Sequence, residues 1–193
     1  MPASRSLQVH RESDRLAAGR GLLYPMDALY KHAGMVAPVA KPTTAERIPS
    51  PCRNLLVQQS GMTSALERHF GGAIAVRVLT SFTRGRWYFR RVLLVLQESG
   101  RPVAMGAARL NLDFFSARVR ARILSEQVPL GRIFVEAEVQ YHSRPTAFVQ
   151  VTPTADMMGF FWMRDMQTLY GRRTQVTVHG KRVGDIVEIL PLL

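Results

Sequence analysis

The sequence predicts a single α+β domain on a mainly antiparallel sheet. Strand-like apolar runs at Trp87 to Leu96, Val103 to Leu112 and Val183 to Leu190 follow one another across tight turns, as hairpins and meanders do. No regular alternation of strands with helical crossovers separates them, which argues against a parallel sheet. The third observation is size: 193 residues, 47% hydrophobic and 21% charged, supply one domain with a real core and not two.

Taken in order, residues 1 to 50 lack a sustained hydrophobic period and read as a leader with one short helix at Met26 to Ala33. An extended linker follows, carrying prolines at 38, 42, 49 and 51. The domain proper is placed at 51–193. Thr63 is an N-cap candidate for a helix through Phe70, with Gly71-Gly72 as its stop. Ile74 to Leu79 is a strand, and the meander comes next. Phe114 to Leu124 fits a helix better than a strand, and Pro129-Leu130-Gly131-Arg132 reads as a loop opening a short helix, whose first N–H groups make a small anion site. Residues 135 to 152, around Ser143-Arg144-Pro145, suggest an extra hairpin. Asp156 to Leu169 reads as a helix. Thr174 to Val178 and Val183 to Leu190 form the last hairpin.

Composition narrows the function. The longest apolar stretches, such as Val92 to Leu96 and Phe160 to Met163, are far short of the ~20 residues of a membrane span. The N-terminus carries charge where a signal peptide needs an apolar run, so a cytoplasmic location is expected. One cysteine, Cys52, excludes an internal disulfide. The five histidines show no i, i+3 or i, i+4 pairing, so no metal is expected. The net charge of +12 comes mostly from arginine and lies chiefly beyond residue 50. It fits an anionic partner, or simply a solvated face. A nucleic-acid surface at Arg118, Arg120, Arg122, Arg172 and Arg173 is disfavoured, because no aromatic residues interleave as a stacking platform.

Two awkward charges stand out. In Ile186-Val187-Glu188-Ile189-Leu190 the carboxylate shares a strand face with Ile186 and Leu190. It must find a partner, act as an acid or base, or reach water from a frayed end. Arg90 and Arg91 sit inside an apolar strand, so one points into the sheet's packed or ligand-bearing face and the other outward. Glu188 and a bound acidic ligand are both candidate partners for the inward one. Gly106 leaves a strand position without a side chain, where a flat ligand could lie or a bulge could form. No nucleophile–base spacing points to covalent catalysis.

A series of segments then falls into order: Asn54-Leu55-Leu56-Val57, Gly61-Met62-Thr63, Tyr88-Phe89-Arg90-Arg91-Val92-Leu93-Leu94, Gly100-Arg101-Pro102, Pro129-Leu130-Gly131-Arg132, Tyr170-Gly171-Arg172-Arg173, and Gly180-Lys181 to Glu188-Ile189-Leu190-Pro191. From about 54 to 191 this series resembles the chorismate pyruvate-lyases, or 4-hydroxybenzoate synthases. The resemblance implies a six-stranded antiparallel sheet, helices over an enclosed site, and elimination of pyruvate from chorismate without a cofactor. It implies that Met62, Arg90, Leu130 and Glu188 hold the aromatic product, with Arg90 on a carboxylate and Glu188 at the ring hydroxyl, assisting proton movement. Where family members often carry arginine after the glycine of the Gly106 strand, this chain has Ala107, and Arg109 on the same strand face is the expected substitute. Phe134 to Val151 reads as an insertion, and the Gly171 to Glu188 spacing is one residue long, enough to flip a strand face unless a turn absorbs it. Related folds also serve as effector-sensing domains of GntR-type regulators. The alternative function is therefore a non-catalytic module binding a small anionic aromatic or pre-aromatic ligand.

Overall fold

The structure, a computed structural model, describes residues 21–58 and 61–192. Seven strands form one antiparallel sheet: β1 (Val39–Thr43), β2 (Ile74–Arg84), β3 (Trp87–Leu96), β4 (Pro102–Asn111), β5 (Tyr141–Thr152), β6 (Leu169–Val178) and β7 (Lys181–Leu190), in the spatial order β1-β5-β6-β7-β4-β3-β2. The helices are α1 (Met26–His32), α2 (Cys52–Val57), α3 (Met62–Phe70), α4 (Ala117–Leu124), α5 (Leu130–Glu136) and α6 (Ala155–Phe160).

Strand alternation divides the core between the two faces of the sheet. On one face Phe89, Leu93, Met105, Val187 and Ile189 pack with Met26, Leu29 and Tyr30 of α1 and Met157 of α6. On the other, Val92, Leu94 and Leu190 pack with Leu55 and Leu56 of α2 and Met62, Ala65 and Leu66 of α3. Tyr88, Leu110 and Val176 continue that second face beneath Val119 and Ile123 of α4 and Ile133 and Phe134 of α5.

Several expectations change at this level. The sheet has a seventh strand because β1, from the segment read as linker, pairs with β5 from Val39↔Thr152 to Thr43↔Phe148. Met26, Leu29 and Tyr30 of α1 are fully buried, so this helix, expected in a leader, packs into the core. The helix 62–70 is capped by Gly61, and Thr63 lies inside its first turn. Gly71 ends the helix in the left-handed conformation (φ 65°), its N–H donating to Glu67 O at 2.9 Å. Residues 141–152 are one strand and not a hairpin. Pro145 is tolerated because it sits at a register shift, beyond the reach of β1, where β5 is an edge. Phe134 to Val151 spans the end of α5 and much of an internal strand, and Phe134, Tyr141 and Ser143 in it line the cavity described below. The helix expected from Asp156 to Leu169 stops at Phe160, and Trp162 then takes positive φ (55°), which an α-helix cannot continue through. Ser116 caps α4, accepting from the Val119 N–H at 3.3 Å.

The last hairpin carries a bulge between Gly171 and Glu188. Val176 pairs with Gly184 and Thr177 with Arg182, so Val183 is the additional residue of a bulge. Beyond it Arg172 faces Glu188 directly, and Glu188 keeps the face it shares with Ile186 and Leu190.

Candidate functional site

A cavity of about 80 Å³ lies between the sheet and the starts of α3 and α5. Its floor comes from the face carrying Arg90, Val92 and Leu94 on β3, Gly106 and Ala108 on β4, and Ile186 and Glu188 on β7. Register brings these together: Arg90 pairs with Ala108, Val92 with Gly106, and Gly106 with Glu188. Small residues at 106 and 108 leave the space between the two charges open. Gly106 lies in regular pairing and not in a bulge; a Cβ there would come within 3.3 Å of Val92 Cγ2.

The roof is made by helix beginnings. Met62 and Thr63 open α3, and Leu130 and Gly131 open α5. Intrahelical bonding in α3 starts with the Ala65 N–H, which donates to Gly61 O at 3.2 Å. The helices meet where Gly131 passes Thr63, an approach that leaves only 3.1 Å between Thr63 Oγ1 and any added Cβ. Farther along, Arg132 of α5 pairs with Glu67 of α3 and donates to Ile74 O at 3.2 Å, fixing both to the start of β2. Phe134, Tyr141 and Ser143 complete the wall, with the Phe134 and Tyr141 rings 4.9 Å apart.

Arg90 is 3% exposed, and its Nη1 has no hydrogen-bond partner among the described residues. Burial pushes its guanidinium down from the ordinary arginine value, while the neighbouring Tyr88 and Glu126 act in the opposite direction. Tyr88 itself donates to Glu126 Oε1 at 2.7 Å, and burial raises its phenol first, the carboxylate adding to that. Arginine holds its proton under all ordinary conditions, so Arg90 is a buried cation with an unfilled donor.

Glu188 does not pair with Arg90. Its Oε2 accepts from Arg172 Nε at 2.6 Å, and Arg172, 1% exposed, also donates from Nη1 to Leu56 O at 3.0 Å and Gln58 O at 2.7 Å. The frayed-end alternative is excluded, because Glu188 is an enclosed, paired carboxylate. Nor does Arg91 point outward: it is equally buried on the far face, bonded to Asp156 Oδ2 at 2.9 Å, with its guanidinium 4.1 Å from the Tyr30 ring centre. That pair is a structural one, and no described cavity contains it.

Met62, Arg90, Gly106, Leu130 and Glu188 thus share one cavity. Arg109 does not. Its guanidinium stacks on Trp87 at 3.4 Å from the ring centre and lies 3.7 Å from Asp185 Oδ2. Two residues along a strand keep the same face, but the face shared with Arg91 and Phe89 lies away from the cavity. Arg109 is therefore no substitute for a cavity arginine. Sequence reasoning also missed Arg172, which it grouped with surface arginines, and Tyr141. The parity argument applied to Arg90 and Arg91 would have flagged Arg172 and Arg173, since their strand is apolar at 176 and 178. Burial and then the Glu188 charge raise the Tyr141 phenol, a consequence of a cross-strand neighbourhood that spacing does not encode.

No protein-family model matches the sequence, and no curated protein matches it. Solved structures do. PhnF from Mycobacterium smegmatis aligns over 93% of this chain and 92% of its own, with 10% identity and a TM-score of 0.51. The chain has the chorismate lyase-like fold. Gene product SA0254 from Staphylococcus aureus subsp. aureus N315 aligns over 69% of this chain and 89% of its own, at 8% identity and a TM-score of 0.52. PhnF C-terminal domain aligns over 68% and 87%, at 11% identity and 0.45. Identities this low speak for the fold alone. Among the described residues no helix is long and apolar enough to cross a membrane.

Proposed function

We propose that this chain is a small-ligand-binding module of the chorismate lyase-like fold, and that its ligand is a carboxylic acid of at most one ring seated on Arg90. The observation that carries this reading is the unpartnered Nη1 of a guanidinium 3% exposed, opening into an otherwise largely apolar cavity. A ligand carboxylate supplies the missing acceptor. Glu188 is engaged by Arg172, and Glu126, the carboxylate that acts on Arg90, accepts from Tyr88, so a ligand carboxylate would give Arg90 the direct ion-pair partner that no described residue supplies. Apolar side chains of Val92, Leu94, Ile186 and Phe134 suit the ligand body, and the Glu188 carboxylate with the Tyr141 hydroxyl suits a polar substituent.

Binding is favoured over turnover for two reasons. Glu188, the expected proton carrier, is already engaged by Arg172. The cavity of about 80 Å³ is also smaller than the roughly 150 Å³ hole that takes one benzene ring. A single-ring acid needs modest adjustment of the wall; chorismate, with a second carboxylate on its side arm, needs far more. The lyase reading keeps one specific support, the convergence of Met62, Arg90, Leu130 and Glu188 on this cavity.

Calorimetric titration with 4-hydroxybenzoate and pyruvate assay with chorismate separate the two readings. Binding of 4-hydroxybenzoate that is lost in Arg90→Met, without pyruvate release above a Glu188→Ala control, is the expected outcome. Sustained pyruvate release would replace the binding reading with the lyase one.

A further inference from the structure

Arg172 does not line the cavity; it stands behind Glu188 and reaches past it to the end of α2. Leu56 lies in the last turn of α2 and Gln58 is its C-cap, so Arg172 Nη1 satisfies carbonyls that a helix end leaves without intrahelical partners. From Gln58 the chain runs in a few residues to Gly61 and Met62, which form the opposite wall. One guanidinium therefore fixes the cavity's carboxylate and the end of α2.

We propose that Arg172 is the positioning residue of this site: it holds the Glu188 carboxylate aimed at the cavity, and ties the end of α2 to that carboxylate. This rests on reading the cavity as a ligand site. The three contacts from one side chain join β7 to the end of α2, and the carboxylate that Arg172 holds lines the cavity. Without Arg172, Glu188 would face a largely apolar cavity in which its charged form is disfavoured. The other charged and titratable side chains on that cavity are Arg90 from β3 and Tyr141 from β5.

The test combines a titration that needs no ligand with a binding cycle. In the full chain with ¹³C-labelled glutamate carboxyls, the Glu188 resonance is assigned by its loss in Glu188→Gln and followed against pH in Arg172→Met and Arg172→Lys. The expected result is a midpoint about one pH unit or more higher in Arg172→Met, with Arg172→Lys between it and the wild type. An unchanged midpoint overturns the proposal. In the binding arm, Arg172→Lys weakens 4-hydroxybenzoate by about tenfold when Glu188 is present, and by less than about twofold in a Glu188→Gln background. Equal losses in both backgrounds mark Arg172 as merely structural and overturn it. If the wild type does not bind 4-hydroxybenzoate, the ligand reading fails, and the Glu188 titration alone decides the role of Arg172. If Arg172→Met does not fold, Arg172→Lys decides by the same midpoint criterion.

Discussion

Arg172 and Glu188 face each other across β6 and β7 as direct register partners, joined from Nε to Oε2 at 2.6 Å. This pairing leaves Arg90 Nη1, on the same side of the sheet, without a hydrogen-bond partner among the described residues. Close packing enforces the arrangement: a Cβ on Gly171, one residue before Arg172, would stand 2.6 Å from Glu188 O.

Arg90 and Arg91, adjacent and equally buried, should respond oppositely to substitution. Arg91→Met strips Asp156 of its cationic partner, leaving it the Tyr30 and Thr154 hydroxyls, and removes the contact with the Tyr30 ring, costing about 3 kcal/mol. Arg90→Met removes a buried cation with an unfilled donor, so the ligand-free protein should be no less stable, or more so by about 1 kcal/mol. The same change should weaken a carboxylate ligand by about 1.5–3 kcal/mol. Urea denaturation of both variants checks the contrast; equal destabilisation would remove the case for Arg90 as a ligand residue.

Tyr141 borders both the inner cavity and an outer groove of about 580 Å³ that also contains Gly61, Ser143, His142 and Arg144. Truncation to alanine should join the two spaces. Binding of biphenyl-4-carboxylate relative to 4-hydroxybenzoate should rise by about tenfold in Tyr141→Ala, the order expected for newly buried apolar surface. A size preference unchanged by the substitution would place the ligand elsewhere.

Gly171→Ala should destabilise by about 1–3 kcal/mol, because its Cβ would meet the backbone of β7 and not a side chain able to swing away. The measured loss should exceed that of Gly72→Ala, where nothing lies within 4 Å. Thermal unfolding of the two variants gives the comparison.

Stability should fall in alkali through Tyr30. Burial raises its phenol from 10.0 to about 12, so between these values the unfolded chain loses a proton that the folded chain keeps. The contribution is complete below about pH 10 and is lost as pH climbs toward 12, on the order of 2 kcal/mol in all. In Tyr30→Phe the decline across this interval should be shallower, as read from urea midpoints at pH 9 and pH 11.5.

Much of this molecule was legible in the chain. Alternation and turn chemistry gave the antiparallel sheet, and β3 and the existence of the last hairpin followed from local pattern, although β6 begins at Leu169 and not at Thr174. The ordered segments placed Met62, Arg90, Leu130 and Glu188 in one group before any geometry was known, and charge on an apolar strand face singled out Arg90 and Glu188. Local pattern failed where a distant partner decided the outcome. β1 looks like a proline-rich linker until β5 lies beside it, and Pro145 looks like a turn until the short reach of β1 leaves that stretch of β5 an edge.

The sequence by itself determined which residues must solve a charge problem, because an arginine or glutamate amid apolar neighbours is costly wherever the strand lies. Only the tertiary structure decided who pairs with whom. Arg91 found Asp156, Glu188 found Arg172, Arg109 turned to Trp87 and Asp185, and Arg90 has no ion-pair partner among the described residues. Strand parity is a local property read from one chain segment, whereas pairing depends on register between segments. Here the register sets Arg172 opposite Glu188, with the bulge at Val183 lying beyond that run of pairs.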